Sequence, residues 1–99
     1  MKPLTANDLT KLALEYLNAR GHFVWRSNNI RVPGRTFIGK KGVSDIQGIT
    51  KGGVGLFVEV KIPPDIKSKE QESFEREITM RHAIYIVIEN FRQLELSGL

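Results

Sequence analysis

The run Leu56-Phe57-Val58-Glu59-Val60-Lys61-Ile62 reads as a buried β-strand that nevertheless carries two charges. Side chains alternate across a strand, so Leu56, Val58, Val60 and Ile62 share one face while Glu59 and Lys61 share the other. Ionisable groups amid apolar neighbours are costly unless they are paired or bound to a metal. An earlier strand-like run, Val43-Ser44-Asp45-Ile46, can bring a second carboxylate to the same place. Working outward from this strand gives the rest of the chain its order.

Upstream, residues 5–20 read as a helix: Thr5 caps it with Asp8 three positions on, and Gly21 stops it. Leu9, Leu12, Ala13, Tyr16 and Leu17 form its apolar stripe, with Glu15 on the flank. His22 to Ile30 is a strand candidate, 31–42 a polar glycine-bearing loop, and Val43 to Thr50 a second strand. Lys51-Gly52-Gly53 turns into the third strand, Val54 to Ile62, which Pro63-Pro64 ends. A second helix spans Ser68 to about His82, capped by Ser68 with Gln71 at the capping-box position. Phe74 and Ile78 define its inner face, and Glu70, Glu72, Glu75 and Glu77 are expected to point mostly to water. Ala83 to Ile88 is almost continuously apolar, so it is expected to be a central strand buried on both faces. A short helix follows from Asn90 to Leu96. The order α-β-β-β-α-β, a hairpin feeding a crossover helix and a last strand, predicts an α/β fold with a mixed four-stranded sheet flanked by helices.

Ninety-nine residues make one domain, 1–99, with an adequate but small core. No apolar run reaches the ~18 residues of a membrane span, and Met1-Lys2-Pro3-Leu4-Thr5 lacks the apolar stretch of a signal peptide. The absence of cysteine excludes a disulfide framework and a thiolate zinc site. These features lead us to expect an intracellular, cytoplasmic setting, the host cytoplasm for a phage-encoded chain, and no membrane partner.

The net charge of +4 is unevenly placed. From Arg20 to Lys51 seven residues are basic (Arg20, Arg26, Arg31, Arg35, Lys40, Lys41, Lys51) and one, Asp45, is acidic. Such a segment is an electrostatic footprint for a polyanion, most simply nucleic acid. Arg31, Arg35, Lys40 and Lys41 lie in the loop directly before the Asp45 run, where they would grip backbone phosphates, contacts that position a duplex without reading its sequence.

Two acids and a lysine converging on one sheet face match the needs of phosphodiester hydrolysis. That reaction requires a nucleophilic water, charge neutralisation at phosphorus and help for the leaving oxygen. Magnesium takes oxygen ligands, commonly one or two carboxylates with waters and substrate phosphate. Asp45 and Glu59 are the candidate carboxylates. Lys61, about 7 Å from Glu59 along the strand, would hold the attacking water.

Asp45 … Glu59-Val60-Lys61 resembles the PD-(D/E)xK nuclease superfamily, and within it the chain is most similar to the VRR-NUC family, including its small stand-alone phage-type members. Four local matches carry the resemblance: Glu15 in the first helix, Gly42-Val43-Ser44-Asp45-Ile46, Phe57-Val58-Glu59-Val60-Lys61, and Gln71 with Phe74. Ser44 departs from the superfamily's proline before the aspartate. The resemblance implies a restriction-endonuclease-like αβββαβ core, Mg2+ or Mn2+ held by Asp45, Glu59, the backbone carbonyl of Val60 and Glu15, catalysis by Lys61, and support from Gln71. It also implies a structure-selective DNA endonuclease similar to Holliday junction resolvases. Symmetric cutting of a four-way junction needs two sites, which makes a two-fold homodimer the expected assembly. The alternatives are a non-catalytic DNA-binding module on the same fold and a flap or duplex nuclease.

Other patterns carry less. Asp65-Ile66-Lys67 repeats the acid-x-lysine spacing but follows Pro63-Pro64 in a loop, with no strand to aim it. The run 34–41 resembles a P-loop except that Lys41 replaces the Ser or Thr, and a strand follows instead of a helix. His22 and His82 have no ligand-spaced partners and are expected to be structural. Phe23 and Trp25 are expected in the core and not as a base-stacking platform.

Overall fold

A computed structural model describes residues 4–27, 34 and 40–99. The elements are α1 (Ala6–Ala19), β1 (Phe23–Arg26), β2 (Ile46–Ile49), β3 (Gly55–Val60), α2 (Lys69–Met80), β4 (Ile84–Ile88) and α3 (Phe91–Leu96). The sheet order is β1-β2-β3-β4. β1, β2 and β3 pair antiparallel, and β4 returns through α2 to pair parallel with β3. The expected mixed four-stranded α/β architecture is present.

Strand alternation divides the sheet. On one face Val24, Ile46, Leu56, Val58, Val60 and Ile88 join Leu9, Ala13 and Leu17 of α1 and Leu94 of α3 in the core. On the other face stand Phe23, Trp25, Gln47, Ile49, Phe57, Glu59, Tyr85 and Val87, and α2 crosses only the β3–β4 half. Phe74 of α2 meets Phe57 edge-to-face at 5.5 Å and Tyr85 at 6.3 Å between ring centroids.

Both long helices start with a reciprocal capping box, as their sequences predict. Thr5 and Asp8 exchange hydrogen bonds at α1, and Ser68 and Gln71 do so at α2. Each box satisfies two amide donors that a helix start would otherwise strand.

Two expectations change. The Ala83–Ile88 run is an edge strand, paired with β3 alone, and Val87 is exposed. Its apolar residues are instead shared between the core, through Ile84, Ile86 and Ile88, and Phe74 of α2, which covers Tyr85. Phe23 and Trp25 are exposed, at 71% and 44%, because Val24 alone of this strand turns into the core.

Two glycines hold surfaces in close approach. A Cβ on Gly48 would sit 2.1 Å from the Phe23 carbonyl oxygen, so only glycine lets β1 lie against β2. Gly42 has φ +79°, and a Cβ there would sit 2.2 Å from the Glu70 carbonyl oxygen. The segment leading to Asp45 is thereby seated on the first turn of α2.

Candidate active site

The site lies where β2 begins and β3 ends, on the sheet face that α2 crosses. Asp45 directly precedes β2. Its Oδ2 accepts a hydrogen bond of 2.8 Å from the Val60 amide, which fixes the carboxylate against the end of β3. Glu59 on β3 is 2% exposed. Its Oε1 accepts from Gln71 Nε2 at 3.2 Å, and its Oε2 is buried without a hydrogen-bond partner among the described residues.

Gln71 joins local structure to the site. Its Oε1 is committed to the Ser68 amide by the capping box at 2.9 Å, so its Nε2 is the end left to face Glu59. One side chain therefore starts α2 and orients a buried carboxylate.

Burial pushes the Glu59 carboxyl up to about 8, and the nearby charge of Asp45 and a side-chain interaction with it act in the same direction. Lys61 and, more weakly, Lys67 oppose the shift. Two carboxylates facing each other in a partly dry pocket cannot both ionise cheaply without a cation. With the orphaned Oε2, this is an oxygen-donor arrangement that fits a hard divalent cation.

The candidate residues do not all converge. Asp45, Glu59, Lys61 and Gln71 come together, and Val60 contributes its amide to Asp45 at the same strand end. Glu15 is exposed on α1, which packs on the other face of the sheet. Among the described residues no group of three or more Asp, Glu, His or Cys is close enough to hold a metal, so Glu15 stands apart from the pair. Lys40 and Lys41 line a cleft of about 420 Å³ with Glu70, Ser73, Phe74 and Glu77 of α2. Glu70 and Glu77 thus share that cleft with the lysines, while Glu75 pairs with Lys67. Arg31 and Arg35 lie outside the described residues.

Sequence reasoning passed over two neighbours of the site. Lys67, set aside with Asp65-Ile66-Lys67, folds back to pair with Glu75 and lies 5.6 Å from the centre of the Tyr85 ring. No sequence signal marked it, since its position depends on the path of the loop after Pro63-Pro64. Tyr85 has a buried hydroxyl without a partner among the described residues, and burial, then the charges of Glu59, Glu75 and Asp45, push its ionisation upward. Strand alternation places it on the Glu59 face, which was the available clue.

His22 is structural, as expected: it is buried, and its Nδ1 accepts from the Lys51 amide at 3.1 Å, tying α1 to the β2–β3 turn. Burial lowers its pKa, helped by the charges of Lys51 and Arg20.

Among solved structures, one described as a VRR_NUC domain matches this fold with a TM-score of 0.67 and 26% sequence identity, over 93% of this chain and 92% of that chain. No protein-family model matches the sequence, and no curated protein matches it. No helix among the described residues is long and apolar enough to cross a membrane.

Proposed function

We propose that this chain, a member of the VRR-NUC family with a nuclease fold of the PD-(D/E)xK type, is a divalent-metal-dependent DNA endonuclease selective for branched DNA, a Holliday junction resolvase acting as a homodimer. The observation that carries the reading is the pair Asp45 and Glu59, two carboxylates at adjoining strand ends with one buried oxygen left without a partner among the described residues.

Mg2+ or Mn2+ would be held by Asp45, Glu59 and the carbonyl of Val60, with water in the remaining positions; Glu15, on the far face of the sheet, takes no part. When bound, such an ion neutralises phosphate charge and lowers the pKa of water. Gln71 keeps Glu59 turned into the site and, by donating to it, favours its ionised form. Lys61 positions the attacking water and offsets negative charge developing on the phosphate. Lys40 and Lys41, with Arg31 and Arg35, grip the backbone so that the scissile bond meets the carboxylates. These backbone contacts select DNA by shape and not by sequence.

The test is to incubate the pure protein with labelled four-way junction, flap, single-stranded and duplex DNAs in magnesium, manganese or EDTA. Metal-dependent cleavage confined to junctions supports the resolvase reading. Cutting of flaps or duplex would replace it with a broader nuclease. Binding without cleavage in any metal would mean that the chain is a DNA-binding module.

A further inference from the structure

The β1–β2 half of the sheet's active-site face carries an apolar patch that the chemistry above does not use. Phe23 is 71%, Trp25 44% and Ile49 47% exposed. The two rings meet edge-to-face with centroids 5.5 Å apart. Ile49 lies across from Phe23, and Gln47 across from Trp25. Large aromatic side chains left in water forgo roughly 1.5–3 kcal/mol each of burial, which marks the surface as one that meets something.

Its position and its surroundings limit what that something is. The Ser27 amide donates to the Asp45 carbonyl at 2.8 Å, continuing the β1–β2 pairing by one step. Trp25 is therefore the diagonal neighbour of Asp45 on one sheet face, roughly 7–8 Å away. The elements that carry the patch belong to the Arg20–Lys51 segment, with seven basic residues against the single acid Asp45. A segment of this charge favours a polyanion, although its Arg20 and Arg26 turn toward Leu99 and Asn7, and exposed rings favour flat apolar faces. Nucleic acid with unpaired bases has both, whereas in an intact duplex the base faces are stacked on one another.

We infer that Phe23 and Trp25 form a platform on which unpaired bases at a DNA branch point stack beside the Asp45–Glu59 site. This rests on the reading above that the ligand is DNA. It adds to phosphate gripping a second contact, one that only unstacked bases can make; at a four-way junction, whose bases are all paired, it requires the pairs at the crossing point to open.

Trp25 is the sole tryptophan of the chain, so its fluorescence reports on the patch directly. The full-length protein is titrated in EDTA with an oligothymidine strand, a duplex bearing a single-stranded branch, and a blunt duplex, with labelled-DNA anisotropy followed in parallel. The first two should quench Trp25 emission, and the blunt duplex should not. Phe23→Ala and Trp25→Ala should each weaken binding of unpaired DNA about tenfold, in line with one lost base stack, and leave blunt-duplex binding unchanged. Trp25→Phe should retain most of the affinity and the wild-type melting curve, as should Phe23→Ala in melting because that ring is 71% exposed.

DNA binding or cleavage with unchanged emission, or with no loss in the alanine variants, would overturn the platform and leave the nuclease standing. Absence of binding to any DNA would overturn both. A concentration-dependent dimer in sedimentation that Phe23→Ala dissociates, without quenching by DNA, would show that a second copy of the chain covers the patch and would overturn the platform.

Discussion

The two faces of this four-stranded sheet are built for different tasks. Under α1 the face is closed: Leu9, Ala13 and Leu17 lie fully among Ile46, Leu56 and Val58. Under α2 it is open: that helix has no buried residue at all and meets the sheet through half-buried Phe74 and the hydrogen bond from Gln71 to Glu59. Stability resides on the first face, which lets the second hold a buried, poorly ionised carboxylate and a bare aromatic patch. A domain of this size tolerates such a face only because its other face is well packed.

The largest expected effect tests this division. Leu17→Ala or Leu56→Ala should cost about 2–5 kcal/mol in denaturant unfolding, as fully buried leucines do. Phe74→Ala should cost clearly less, about 1–2 kcal/mol, because its ring is only half buried. Equal losses would mean that α2 covers a second core, and the contrast would fail.

Gly42→Ala comes next, at about 1–3 kcal/mol, since it combines a left-handed backbone with a clash against Glu70. Its effect on cleavage should exceed its effect on melting, because the clash displaces the segment that carries Asp45 from the turn that carries Gln71. An active, normally melting Gly42→Ala would show that this seating is not needed.

Glu59 gives a pH signature. Its carboxyl is raised from 4.5 to about 8 in the fold, so the fold prefers the protonated form. The resulting stability is fully present below pH 4.5 and is lost as pH rises toward and through about 8. In EDTA, Glu59→Gln should therefore melt several degrees above wild type at high pH, at about 4–8 °C per kcal/mol. Magnesium should raise the wild-type melting point and leave that of the variant unchanged. A wild-type melting point independent of both pH and magnesium would remove the basis for a cation site.

The smallest effect belongs to the closed face. His22 is held neutral, its pKa lowered by burial, so its contribution is present above 6.5 and is lost as pH falls below that value. Melting curves of His22→Gln should show a flatter acid limb than wild type. An unchanged acid limb would place the titration elsewhere.

Much of this was legible in the sequence, for physical reasons that differ by element. Capping boxes are local, so Thr5 with Asp8 and Ser68 with Gln71 could be read directly. Alternation along β3 correctly separated Glu59 from Leu56, Val58 and Val60. Gln71's capping role was read from its spacing to Ser68 and its support of the site came from the family resemblance, whereas its donation to Glu59 is visible only in the fold. Other features depend on what lies over a strand, which periodicity does not encode. β1 was read as core because Phe23 and Trp25 are apolar, yet α2 covers only the far half of that face. The Ala83–Ile88 run was read as central because it is apolar on both sides, although one aromatic residue of α2 is enough to cover Tyr85. The return of Lys67 toward the site is a long-range consequence of a loop and left no local trace.

The central claim is that Asp45, Glu59 and Lys61 cleave DNA with a divalent cation. The most direct test is single-turnover cleavage of a labelled four-way junction by wild type, Asp45→Asn and Lys61→Ala, with magnesium and with EDTA, with binding measured beside it. Wild type should cut only with magnesium, and both variants should bind the junction and leave it intact. Cleavage by either variant at the wild-type rate, or by wild type in EDTA, would contradict the account.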